Sequence, residues 1–214
     1  MPCDRRIERL LEDLRRLAAQ DARLEVFGAR SHGYRLNHVL PLARIRALED
    51  RRSVQLPSDY VLFLTKMGNG GAGPFYGVNP LGERDSDTGD ETRSWWSGDP
   101  LIGDLTRPFP HTAAWNLSES AIARAREAEE EEPELDAYWC GVDGAIPVAH
   151  EGCALRDWLI IAGPERGHMW HDARADFGGW RPWMAGGRTR LTFLEWYAAW
   201  LESALAGHPF PAPV

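Results

Sequence analysis

Two short clusters carry side chains able to hold a metal ion or to act as a nucleophile pair: His150-x-x-Cys153 and His168-x-x-His171-Asp172. Imidazole nitrogen and thiolate sulfur are ligands that zinc favours, but zinc sites usually show paired spacings such as C-x2-C with H-x3-H, or two histidines one helical turn apart. In an extended strand, positions three apart point to opposite faces, so His168 and His171 are expected not to share an ion. Cys153 with His150 or His171 has the residue types of a nucleophile and its base, yet no third group stands at a recognisable spacing. The expectation for Cys153 is a small, buried, apolar role. Carboxylates are abundant, but no motif brings two of them close. P-loop, G-x-S-x-G and H-E-x-x-H patterns are absent from the sequence. The residues therefore predict a non-enzymatic protein with no catalytic residue, metal site or cofactor.

Gly68-x-Gly70-x-x-Gly73 matches the dinucleotide-binding pattern in letters only. That pattern needs a strand before it and a helix after it, because the helix N-terminus holds the pyrophosphate. Here a helix comes first: Tyr60, Val61, Phe63, Leu64 and Met67 recur at helical spacing from Ser58, the expected N-cap after Pro57. Gly68 and Asn69 are expected to stop that helix in left-handed conformations, with extended chain following from Phe75 to Leu81.

The remaining elements are read from periodicity. Ile7, Leu10, Leu11, Leu14, Leu17 and Ala18 predict a helix over 4–20 capped by Asp4, either docked on its own domain or free to bind a partner. Leu24, Val26 and Phe27 suggest a short strand. Pro41 opens a helix with Leu42, Ile45 and Leu48 on one side. Residues 118–132 predict a helix starting at Ser118 or Ser120. The segments 138–139, 145–150, 155–162 and 168–172 read as strands, with Gly163–Gly167 as a hairpin turn. In the third of these, Trp158, Ile160 and Ala162 face one way and Leu159 and Ile161 the other, as in a central strand covered on both sides. Residues 173–190 read as a loop. Thr192-Phe193-Leu194-Glu195 is a capping box before a helix whose stripe is Leu194, Tyr197, Ala198, Leu201 and Leu205, ended by Gly207.

The formal net charge is −8, with 32 acidic against 24 basic residues, of which only Lys66 is lysine. That balance argues against a nucleic-acid-binding surface and suits a basic protein partner. Three cysteines are too few for a disulfide framework, and no apolar run reaches membrane-spanning length, so a cytoplasmic location is expected. Candidate partner contacts are Trp95, Trp96 and Asp99 in a Gly/Asp/Ser-rich stretch, and Glu129, Glu130, Glu131 and Glu132 in an acidic run. The Trp pair either offers contact area or pins its loop to the core. The acidic run is either a solvated linker or a decoy for a positively charged partner.

Two blocks resemble the SUKH superfamily, which contains fungal Smi/Knr-type cell-wall regulators and many bacterial immunity proteins. The first is L-P-S-D-Y-x-x-F-L-x-x-x-G-N-G-G-A-G-P-x-Y-G from Leu56; the second runs from Gly144-Ala145-Ile146-Pro147-Val148 through Trp158-Leu159-Ile160-Ile161 to Gly163-Pro164-Glu165-x-Gly167-x-x-Trp170. The resemblance implies an α+β fold, a single mostly antiparallel sheet with helices packed on it. It implies scaffold roles for Pro57, Tyr60, Phe63, Leu64, Gly68, Asn69, Gly70, Gly71, Gly163, Pro164, Gly167 and Trp170. The domain would span 36–207, with inserts near 82–110 and 118–136, after an N-terminal helical arm (1–35) and before a loose tail (208–214). The function implied is toxin neutralisation by direct binding, with a basic toxin as partner, a nuclease being one class that fits. The alternatives are a regulatory scaffold of the Smi/Knr type and, further off, a hydrolase or carbohydrate-binding protein using the Trp-rich surface.

Overall fold

The structure is a computed structural model describing residues 2–81, 102–127, 138–210 and 213. Trp95, Trp96, Asp99 and Glu129–Glu132 lie outside the described residues. In chain order the elements are α1 (Pro2–Gln20), α2 (Ala29–His32), α3 (Leu42–Arg52), α4 (Ser58–Lys66), α5 (Glu119–Glu127), β1 (Ala145–Gly152), β2 (Leu155–Ile160), β3 (Met169–Asp172), a 3-10 turn (Arg174–Asp176), β4 (Trp180–Pro182), β5 (Met184–Ala185), β6 (Thr189–Arg190) and α6 (Phe193–Leu205). The class is α+β. Strands β1 to β4 form one antiparallel sheet in sequence order, and β5 and β6 form a separate hairpin. Among the described residues no helix is long and apolar enough to cross a membrane.

The periodic stripes become the core. Ile7, Leu10, Leu14 and Leu17 of α1 are buried and share one cluster with Phe193, Trp196, Tyr197, Trp200 and Leu201 of α6. The apolar stripe of α1 is thus packed into the main core, and α1 rests on α6. Tyr60, Phe63 and Leu64 of α4 join the same cluster, with Phe63 edge-on to Phe193 at 5.0 Å between centroids. The Thr192–Glu195 capping box closes as expected: Thr192 N–H and Oγ1–H both donate to Glu195 Oε2 at 2.9 Å.

The central strand is two-faced. Leu159 and Ile161 point into the helix-covered cluster with Ile146, Val148 and Met169. Trp158 and Ile160 point into a second cluster with Ala145, Trp170, Trp180, Phe109 and Val142. β2 lies between β1 and β3, so both faces need cover, which explains the apolar run Trp158–Ala162 that begins within it.

Several local expectations are corrected. Ser58 is the first helical residue of α4 and makes no cap; Pro57, with ψ 139°, breaks the chain one residue earlier. Neither Gly68 nor Asn69 is left-handed; that conformation belongs to Gly70 (φ 78°) and Gly71 (φ 101°). Gly68 answers a need for space instead, since a Cβ there would lie 2.6 Å from the Asn37 carbonyl oxygen. The Asn69 side chain clamps Leu81, accepting its N–H at 2.7 Å and donating to its carbonyl at 3.1 Å. Phe75–Leu81 is largely a turn, with only Val78 bridging to Gly71 and Ala149. Residues 24–27 are not a strand, because the Asp21 carboxylate captures the N–H groups of Glu25 and Val26 at 2.8 and 3.0 Å. Residues 138–139 form no strand either: Tyr138 is helical and Trp139 lies in a turn. Residues 173–190 contain β4, β5 and β6 rather than loop alone. The tail is anchored at Phe210, stacked on Trp183 at 4.7 Å and 8°.

Candidate functional site

The sheet brings three ionisable groups to one spot on its helix-covered face. Asp157 of β2 and His171 of β3 are direct ladder partners, and such partners point to the same face. Glu151 joins them from β1, where the pairing is irregular between His150 and Gly152. A bulge there leaves Glu151 out of the ladder and turns its side chain toward Asp157.

His171 Nδ1 lies 2.8 Å from Glu151 Oε1 and 3.1 Å from Asp157 Oδ1. Asp157 is fully buried and its two oxygens are separately addressed. Trp183 Nε1–H donates to Oδ1 at 2.8 Å, and Trp196 Nε1–H donates to Oδ2 at 3.0 Å. One carboxylate therefore ties β2 to α6 through Trp196, and to the segment after β4 through Trp183. Burial pushes the Asp157 carboxyl up, opposed by the His171 contact and reinforced by the Glu151 charge. Burial alone would push the His171 imidazole down, but the Asp157 and Glu151 carboxylates outweigh it and hold it above its ordinary value.

The opposite face carries paired charges. Arg174 meets Asp172 through Nε to Oδ1 and Nη2 to Oδ2, both at 2.8 Å, and both residues are buried. Its guanidinium lies over Trp180, 4.8 Å from the centroid, and donates to the Tyr138 carbonyl. Glu165 Oε2 accepts from Arg190 Nε at 2.9 Å and from Trp170 Nε1 at 3.3 Å.

His171 reaches the cluster; the other residues singled out for chemistry do not. His150 stacks on Tyr76 at 6.0 Å. His168 pairs with Glu165, its Nδ1 3.4 Å from Oε2, so the two histidines do stand apart. Cys153 is exposed rather than buried, because it sits in the β1–β2 turn with φ 48°. Asp157 and Glu151 were missed. For Asp157 a signal existed: it shares the parity of Leu159 and Ile161, so the alternation that buries them also buries a carboxylate. For Glu151 none existed, since a bulge resets the parity.

In comparisons with known proteins, no protein-family model matches this chain, and neither does any curated protein or any solved structure.

Proposed function

We propose that this chain is a SUKH-like, non-enzymatic binding protein that neutralises a toxin by docking on it. The observation that supports the reading most is that the two resembling blocks touch. Tyr76 N–H donates to the His150 carbonyl at 3.3 Å, and just past the first block Val78 bridges Ala149. At the other end, Arg166 Nη2 donates to the Gln55 and Leu56 carbonyls, both at 3.2 Å. Residues more than seventy positions apart at one end, and 110 and 111 positions apart at the other, thus form one continuous frame. Within it Tyr60, Phe63, Leu64 and Trp170 are buried, and Gly70 and Gly71 are pressed against backbone. Such residues hold a shape, which leaves recognition to the surface.

The net charge of −8 supports a basic partner. A toxin that grips nucleic acid needs a positive groove, and an acidic protein can occupy that groove and associate fast. The test is co-expression with toxins encoded beside this chain. Rescue of growth and a stoichiometric complex whose association slows with added salt are expected. No rescue and no complex with any of them sinks the reading.

A further inference from the structure

The geometry points to a divalent-cation site of the zinc or cobalt class formed by Glu151, Asp157 and His171, a structural clamp across β1, β2 and β3. One ligand atom from each residue can be chosen so that all lie within 4.8 Å of one another. Zinc binds imidazole nitrogen and carboxylate oxygen at roughly 2.0–2.2 Å, which at the tetrahedral angle sets neighbouring ligands about 3.4 Å apart. The two His171 contacts, 2.8 and 3.1 Å, need to open by only a few tenths of an ångström to admit the ion. One nitrogen with two oxygens suits a borderline ion better than calcium or magnesium, which favour all-oxygen shells.

A second observation stands apart from proximity. Glu151 Oε1 is buried and no hydrogen bond is aligned on it, although it lies 2.8 Å from His171 Nδ1. By distance alone the pair would count as bonded; by direction the ring nitrogen addresses Asp157 instead. A cation bound here would replace the proton that His171 shares with the two carboxylates. Two carboxylates also face one imidazole, so the cluster stays net negative even with His171 protonated. Finally, Trp183 and Trp196 hold Asp157 from behind, the outer-shell support that fixes a ligating carboxylate.

The test uses the full chain after chelator treatment, with Zn2+ and Co2+ alone as probes. One equivalent of Zn2+ should be retained through gel filtration, and the unfolding midpoint should rise by roughly 5 °C or more. Co2+ should quench tryptophan emission, since two indoles bond the ligand Asp157. His171→Gln should abolish retention. Glu151→Gln keeps the shape of a side chain near the hairpin end, and circular dichroism checks its fold; it should weaken Zn2+ binding at least tenfold. No retention and no thermal shift in the wild-type chain overturns the site. Retention unchanged in Glu151→Gln also overturns it, because the metal would then be held elsewhere. Neither result bears on toxin neutralisation, which the growth assay reads separately.

Discussion

The two faces of the sheet solve the same problem by different chemistry. One face is covered by regular helices, α1, α4 and α6, whose apolar stripes share one core with strands β1 to β3. The other is covered by irregular chain around 102–117 and 138–144, with Phe109, His111, Trp115 and Tyr138 making the contacts. Each face buries ionised groups. Under the helices, two carboxylates converge on one histidine. Under the loops, each carboxylate has its own arginine, stacked on a tryptophan. The contrast teaches that long helices can supply shape to an interior but few charged partners, whereas short elements beside the sheet, the 3-10 turn of Arg174 and the hairpin strand of Arg190, can deliver a guanidinium where a buried carboxylate needs one.

If that contrast holds, disturbing the two faces should cost different amounts. Asp157→Leu removes the acceptor of two indole N–H groups and leaves His171 with Glu151 alone; a loss of about 3–5 kcal/mol in chemical denaturation is expected. Arg174→Met should cost about 3 kcal/mol, somewhat less, because Asp172 keeps the Arg174 backbone N–H at 3.1 Å. Equal losses would erase the distinction.

Acid sharpens the comparison, because each face also holds a histidine in its neutral form. Burial pushes His32 down to about 4, where it packs edge-on to Trp200 under the helices. Burial, then the nearby Arg174 charge, push His111 down to about 4 on the loop side, where it stacks on Trp115 at 4.7 Å. In the unfolded chain both imidazoles take up protons near 6.5, while the folded chain resists until about 4. The contribution of these two histidines to stability is therefore full above about pH 6.5 and falls as the pH drops toward 4. For His32 the loss is on the order of 3 kcal/mol, and His32→Phe should flatten the denaturation midpoint over that window. His111→Phe should remove a separate part of the slope.

Smaller effects belong to the corner and the cap. Gly71→Ala should cost about 2 kcal/mol, since φ is 101° and a Cβ would meet the Arg35 carbonyl oxygen at 2.5 Å. Thr192→Ala should cost about 1 kcal/mol, read as a shift in thermal midpoint.

The same division explains what the sequence made legible. α1, α4, α6 and the two-faced β2 were readable because regular elements covering a regular sheet leave a period. The strands β4 to β6 were not, because two or three residues carry no period. Leu24, Val26 and Phe27 mimicked a strand until Asp21 wrapped the chain around its carboxylate. The charged cluster was half legible: His171 by type, Asp157 by parity, Glu151 only through a bulge that depends on pairing between strands.

The run of single bridges from Leu36 to Gly71, Gly71 to Val78 and Val78 to Ala149 carries a consequence for recognition. It prolongs the hydrogen-bonded surface past β1, while Trp115 bridges Trp180 on the outer side of β4. Both flanks of the sheet are thus partly taken by the chain's own backbone. A peptide seeking to add itself as one more strand would find those places filled. At those places an incoming chain would meet side chains rather than free backbone groups.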